Sequence, residues 1–510
     1  MARSIAIPAE ETAPAARSIR RAGAIALAAA CIGLLFQLLF FDTGLGLNYP
    51  LAVAALLAAA WFVPERPARR IHALDAWLPA AAVILAAFVA LRGDPTLVSL
   101  DVLGSLALAA LSIASFGGLA VVRRPFGAIV MLGLRVAVAA VSYAGFVIAT
   151  LRSRMPLHRA RTGLGRMSGV LRGMLLAIPL LILFLALFAS ADAVFGQLVG
   201  DLPDLRLDLN GLLGRTVIAL MAAWIAAGAL SYVAVGGETD PGSAPISVRR
   251  WLGTTEALTV VVLLDALFAV FVSVQATYLF GGRDTLQASG LTYADYARRG
   301  FFELLAVAMT VGCLVLAMEA FIRGRSRGYV AATVVLIVLT LVVLASAFLR
   351  LRLYQDAYGW TELRFYVLAA IIWLAIGAAA AMAAILLQLT RWLPHVLVIL
   401  SIAFGLAFNV IGPARFIAEQ NIARLADGSL PADAYEGLDL FYLSTLGDDA
   451  MLVIAERYGT LPASARDDAR TVLGYRATEI ALDPAADDWQ AWSLSRDRLR
   501  SILSSGGLLR

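Results

Sequence analysis

Two stretches of this chain gather arginines beside aromatic rings: LTYADYARRGFFEL (Leu291–Leu304) and LRLRLYQDAYGWTELRFY (Leu349–Tyr366). They set Arg298, Arg299, Arg350, Arg352 and Arg364 among Tyr293, Tyr296, Tyr354, Tyr358, Trp360 and Tyr366. A guanidinium presents a planar fork of donors that matches a phosphate or carboxylate in two-point contact. The expected chemistry is recognition of an anionic group, such as a lipid phosphate, by Arg298, Arg299, Glu303, Arg350, Tyr354, Arg364 and Tyr366. A plainer reading uses the same residues. Arg and Tyr anchor helix ends at a membrane interface and pair there with Asp295, Glu303, Asp356 and Glu362.

A second set of polar residues lies inside apolar runs: Asp192, Glu256, Asp265 and Gln275. A charge at mid-membrane costs roughly 2.5–3.5 kcal/mol on insertion scales, so such groups face the protein interior. Asp265, near the middle of 252–280, reads as the deepest acid. It suits a proton relay, a cation site or a substrate contact. It equally suits a buried acid hydrogen-bonded to Ser, Thr or Tyr of another helix. Glu256 lies nine residues earlier, about half a turn away in azimuth, so the two carboxylates do not share a face. Contact with Arg249 or Arg250 is expected for it. Glu319 and Arg323, four residues apart, read as a surface pair, and Arg299 and Glu303 have the same spacing.

Residue types also exclude chemistry. All 41 basic residues are arginine. Without lysine there is no Walker-type phosphate loop, no Schiff-base chemistry and no pyridoxal site. The two cysteines, Cys31 and Cys313, form no CxxC or zinc set. His72, His158 and His395 are scattered, and HExxH is absent. No catalytic residue, metal, cofactor or nucleic-acid partner is expected. Whether the chain is an enzyme is left open, with the lack of a catalytic constellation weighing against it.

The elements that must position these residues are membrane helices. The 510-residue chain is 61% hydrophobic and 15% charged, with mean hydropathy +0.83. Soluble domains are about 25% charged and ~45–50% apolar, and burial in lipid accounts for the difference. The fold expected is an all-α polytopic bundle. Eleven spans are read at 22–41, 49–64, 73–91, 97–121, 172–195, 212–235, 252–280, 300–322, 329–349, 365–388 and 393–412. Residues 1–21 are a polar arm, with no sign of a cleavable leader. The segment 125–151 is apolar but carries Arg135 and has arginines on both flanks. It reads as interfacial or re-entrant, or as a twelfth span.

Arginine-rich loops are retained in the cytoplasm. The N-terminal arm and 65–72, 122–171, 236–251, 322–328 and 389–392 are therefore placed inside a bacterial inner membrane. With eleven spans the tail, 413–510, lies in the periplasm; with twelve it lies in the cytoplasm. It holds fifteen acidic residues and ten arginines, a net −5. The chain is +5 overall, so residues 1–412 carry +10 and suit anionic lipid at the inner face. Prolines at 413, 431, 462 and 484 punctuate the tail, which reads as about four amphipathic helices docked on the membrane body.

FASADAVFGQLV (Phe188–Val199), TEALTVVVLLDALFAVFVSVQATYLFGG (Thr255–Gly282), LTYADYARRGFFEL and SAFLRLRLYQDAYGWTELRFY (Ser346–Tyr366) resemble a bacterial multi-pass membrane family. NIARLADG and LDLFYLSTLGDDA in the tail resemble its C-terminal part. The family is catalogued only as a domain of unknown function, number forty-one seventy-three. The resemblance covers roughly 165–455 and departs at Asp265, where it implies Asn. It implies a membrane fold and brings no activity.

Three functions stand open. The chain transports or handles an anionic or lipid substrate at the outer face. It is instead a membrane transferase on a lipid-linked donor, for which Asp42 lies in the appropriate first outer loop. Or it is a non-catalytic scaffold or sensor whose tail meets a protein partner of unknown identity.

Overall fold

The computed structural model describes residues 12–63, 72–122, 124, 126–145, 209–235, 250–280, 301–426, 438–461, 463–483 and 488–505. The helices among them are α1 (Thr12–Phe40), α2 (Asn48–Phe62), α3 (Leu78–Leu91), α4 (Pro95–Phe116), α5 (Phe126–Ser142) and α6 (Leu209–Val235). They continue as α7 (Thr254–Phe280), α8 (Phe301–Phe321), α9 (Arg327–Tyr358), α10 (Glu362–Leu386) and α11 (Leu393–Ile411). The tail forms α12 (Pro413–Ala426), α13 (Leu440–Thr445), α14 (Asp448–Arg457), α15 (Ala463–Leu482) and α16 (Leu494–Ser505). There is no strand among the described residues, only an isolated parallel bridge between Leu252 and Ile322.

Nine helices among the described residues are long and apolar enough to cross a membrane: Ala22–Phe40, Ala73–Leu91, Pro95–Phe116, Gly214–Ala234, Thr254–Gln275, Phe302–Phe321, Arg327–Asp356, Glu362–Leu386 and Leu393–Ile411. Helices satisfy every backbone group internally, which lipid demands. Each of the nine coincides with a span read from the sequence. The run read at 49–64 is the shorter apolar helix α2. The run at 172–195 and Asp192 within it lie outside the described residues. This is an all-α polytopic membrane protein.

The chain divides into two compact units. The first comprises 1–90, 102–244 and 485–492. Here α1 and α5 pack on α6, and small residues set the approach. A Cβ added to Gly33 would lie 2.3 Å from the Ala219 carbonyl oxygen, and one on Gly228 would lie 1.7 Å from that of Ala140. α5 buries Ile129, Leu132, Val136 and Ala140 and exposes Val130, Leu134, Val138 and Val141. Its 17 residues span about 25 Å, short of the ~30 Å hydrocarbon core. Residues 146–151 of this expected segment lie outside the described residues. Asp75 accepts from the amides of Val121 and Val122, each at 2.9 Å, and ties down the end of the α4 region. Asp42 closes α1 with a left-handed φ of 56°, which Asp tolerates better than most residues.

The second unit comprises 91–101, 245–484 and 493–510. Its membrane layer is α7–α11, with α9 packed on α7, α8 and α10. Leu336, Val343, Leu344, Ala347 and Leu351 of α9 are fully or almost fully buried there. The sequence reading ends this span at 349 and begins the next at 365, leaving the arginines between them outside any helix. The structure corrects this, because α9 continues to Tyr358. After Gly328 in the first turn no Gly or Pro occurs until Gly359, whose φ of 76° ends the helix. Its 32 residues run about 48 Å, beyond the hydrocarbon thickness, so the arginine-rich end is a helical extension. Thr361 then caps α10 by accepting from the Arg364 amide.

The tail helices α12–α16 share a core centred on α14, in which every residue from Asp448 to Ile454 is buried. Its middle, Ala450–Ile454, is apolar on every side and suits the centre of a bundle. Phe365 of α10 joins this core beside Ile417, Leu443 and Leu452.

Candidate functional site

The corner between α9 and α10 assembles part of the expected arginine–tyrosine set. Arg350, Tyr354 and Tyr358 recur every four residues and form one stripe on α9. From α10, Arg364 lays its guanidinium 4.0 Å from the Tyr354 ring centroid and 6.0 Å from that of Tyr358. The same guanidinium donates to the carbonyls of Tyr358 at 3.1 Å and Gly359 at 2.6 Å. It thus covers the negative end of the α9 dipole. Arg424 of α12 approaches from the tail and donates to the Asp356 carbonyl at 3.1 Å. Its Nη1 would stand 3.2 Å from a Cβ on Gly359. Burial and the neighbouring charge of Arg364 both push the Arg424 pKa down, while Asp356 opposes them. Arg352 lies 5.8 Å from the Trp360 ring centroid. Asn421 clamps the turn, accepting from the Trp360 amide and donating to the Trp360 carbonyl, both at 2.8 Å. Tyr442 accepts from the Glu362 amide at 2.8 Å.

The other expected residues fall elsewhere. Arg298 and Arg299 lie outside the described residues. Glu303 is exposed in the first turn of α8, where a helix favours a carboxylate. Tyr366 does not join Arg364. Its ring packs edge-on against Phe365 and Phe408, and its hydroxyl has no hydrogen-bond partner among the described residues. Glu256 caps its own helix by accepting from the Gly253 amide at 2.8 Å. Asp265 lies on the stripe that carries Ala257, Val261 and Phe268 into the membrane core, and its Oδ1 is buried without a partner among the described residues. Gln275 is buried on the same helix. Glu319 pairs with Arg325 rather than Arg323, and also accepts from the Tyr329 hydroxyl at 3.2 Å. The reason is that the chain turns at Gly324, returning Arg325 to Glu319 while Arg323 donates to the Arg250 carbonyl at 3.2 Å.

A second polar cluster was not singled out from the sequence. The short link between α3 and α4 carries Arg92, Gly93 and Asp94, and the tail is seated on it. The Asp448 amide donates to the Gly93 carbonyl at 2.9 Å, and the Gly93 amide donates to the Asp449 carboxylate. Gly447, with φ 88°, permits this approach, since a Cβ there would lie 2.0 Å from the Gly93 carbonyl oxygen. Ser495 of α16 lies 3.1 Å from the Leu91 carbonyl and also touches Asp449 Oδ1. Asp94 begins α4, its Oδ1 accepting from the amides of Thr96 and Leu97 at 3.0 Å each. Its Oδ2 accepts from the Ala414 amide, 3.2 Å away at the start of α12. Burial pushes the Asp94 pKa from 3.8 up to about 6, with the charges of Glu362 and Asp449 acting in the same direction. Asp449 is pushed up too, chiefly by burial.

Two turns into α4, Asp101 accepts from Asn409 Nδ2 of α11 at 2.7 Å. Arg92 donates to the Asn409 carbonyl. Asp101 and Asn409 are 2% and 0% exposed, and Asp101 Oδ2 and Asn409 Oδ1 both lack a hydrogen-bond partner among the described residues. The signal available in the sequence was an acid seven residues after Asp94 inside an expected span, facing the same side of a helix at ~100° per residue.

A family model described as "Domain of unknown function (DUF4153)" matches residues 80–457. The chain belongs to this family. DUF4153 is therefore the number that applies, in place of forty-one seventy-three. The match begins well before the motifs recognised from residue 165 onward. It takes in the Arg92–Asp94 link, the α9–α10 corner, Asn409 and both aspartates of α14, while Arg476, Ser495 and Arg496 lie beyond it. No curated protein and no solved structure matches the chain.

Proposed function

We propose that this membrane protein handles an anionic, phosphate-bearing substrate, such as a lipid headgroup, at the face where α9 ends. The observation that supports it is the convergence of Arg364 and Arg424 on Tyr358–Gly359 beside the rings of Tyr354 and Tyr358. Two like charges held together at the end of an apolar span raise the local positive potential where lipid phosphates reside. Tyr and Trp rings suit that same boundary. The distribution of loop arginines supports an N-terminus in the cytoplasm of a bacterial cell and this face on the periplasmic side.

Arg364 also holds the corner together, so Arg352 and Arg424 are the residues to change. A charged hydrogen bond contributes on the order of 1.5–3 kcal/mol. Native mass spectrometry of the full chain, extracted in mild detergent and supplied with phosphatidylglycerol, measures the interaction. The double variant Arg352→Gln/Arg424→Gln should bind at least about tenfold less tightly. Equal retention of phosphatidylglycerol by both proteins would remove the proposal.

A further inference from the structure

Among the described residues, the carboxylates of the tail seat outnumber the cations that serve them. Asp448 is accounted for. Arg476 lies 2.6 Å from its Oδ1 and Arg496 3.7 Å from its Oδ2. Arg92 is left as the guanidinium within electrostatic reach of Asp101 and Asp449. Asp94 accepts from three backbone amides. Asp101 receives one hydrogen bond, and its second oxygen is buried with none among the described residues. Asn409 Oδ1 and Asp449 Oδ2 are likewise buried acceptors without a donor among the described residues. From α10, Glu362 acts on Asp94 and adds negative charge, and the charges of Asp94 and Asp101 act on the Tyr366 hydroxyl.

A buried carboxylate with too few donors and too little positive charge binds a proton, because the neutral acid is cheaper to bury and supplies the missing donor. Among the described residues no three acidic, His or Cys side chains gather as a metal ion would require. We propose that Asp101, paired with Asn409 and overlooked by Asp94, Asp449 and Arg92, is an intramembrane proton-binding site reached from the tail side. The proton resides on Asp101 Oδ2. Asp94, seven residues back and about 10 Å nearer the helix start, together with Asp449, forms the acidic entrance to it. Proton occupancy there sits between the spanning helices α4 and α11 and the link on which the tail rests. The proposal does not depend on the phosphate reading, since it uses none of the corner arginines.

Infrared difference spectroscopy of the full chain in lipid nanodiscs, across a pH jump, tests it. Wild type should show a carboxylic-acid C=O band that titrates. Asp94 titrates as well and adds a band of its own, so the band assigned to Asp101 is the one that Asp101→Asn, which mimics the neutral acid in shape, loses while Asp94→Asn and Asp265→Asn keep it. Asp101→Glu should keep the band but shift it, a result that does not rely on the neutral variant folding. Retention of every titrating band in Asp101→Asn, or loss of the Asp101 band in Asp94→Asn or Asp265→Asn, would overturn the assignment. So would an unshifted band in Asp101→Glu, or a titration midpoint that moves when sodium replaces choline, which would mark a cation site instead.

Discussion

Asp94 joins two segments with one side chain, accepting amides at the starts of α4 and α12, while the carbonyl of neighbouring Gly93 accepts from the Asp448 amide. Its acidity has a consequence for stability. The folded pKa, about 6, lies above the ordinary 3.8, so the folded state holds the proton more tightly. Stability from this group is therefore present at low pH and is lost as pH rises from about 4 through 6. The magnitude is up to about 3 kcal/mol, and Asp449 is shifted in the same direction. Hydrogen exchange should show the amides of Leu97 and Ala414 better protected at pH 5 than at pH 7. That difference should shrink in Asp94→Asn. A seat protected better at pH 7 would contradict this. Arg476 is a second residue with a defined effect. Asp448 is almost fully buried, and its close ion pair is with Arg476. Arg476→Gln should destabilise the tail by on the order of 3 kcal/mol, whereas Arg415→Gln, losing exposed pairs with Glu419 and Glu456, should cost under about 1 kcal/mol. Thermal unfolding of the two variants, followed by tail proteolysis, separates these outcomes.

Helices approach closely only where side chains allow it. Gly228→Leu would push a side chain into the Ala140 carbonyl and should separate α5 from α6, lowering the melting temperature in detergent. Gly447→Ala meets both a left-handed φ and the Gly93 carbonyl and should release the tail to protease, with the membrane helices retained. An undisturbed tail in Gly447→Ala would show that the seat tolerates displacement. The membrane helices were legible from apolar length, since lipid imposes one simple rule on composition. The extent of α9 was not. Arg350, Arg352 and Arg364 read as loop residues because charge normally ends a span, yet nothing in LRLRLYQDAY breaks a helix. The tail seat was illegible for a different reason. Asp101 meets Asn409 across 308 residues, and Asp94 meets Ala414 across 320. Periodicity reports local faces and carries no information about such meetings. Tyr366 shows the same limit, since its place beside Arg364 in sequence did not predict that it packs against Phe408.

At the scale of the molecule, a membrane layer and a helical tail meet through backbone amides, buried carboxylates and a cationic corner, all within the second unit. The side on which they meet is itself testable. Ser505→Cys, placed at the end of the tail in a chain with Cys31 and Cys313 changed to Ala, should react with a membrane-impermeant maleimide added to intact cells whose outer membrane is permeabilised. Labelling only after inner-membrane lysis would place the tail in the cytoplasm. The central claim is that the α9–α10 corner holds an anionic headgroup. A cryo-electron microscopy structure of the full chain in its native lipid tests this most directly. The account predicts phosphate-sized density bridging Arg364, Arg424 and Arg352 beside Tyr354. Well-ordered guanidiniums bound only to protein carbonyls, with lipid phosphates absent from the corner, would contradict it.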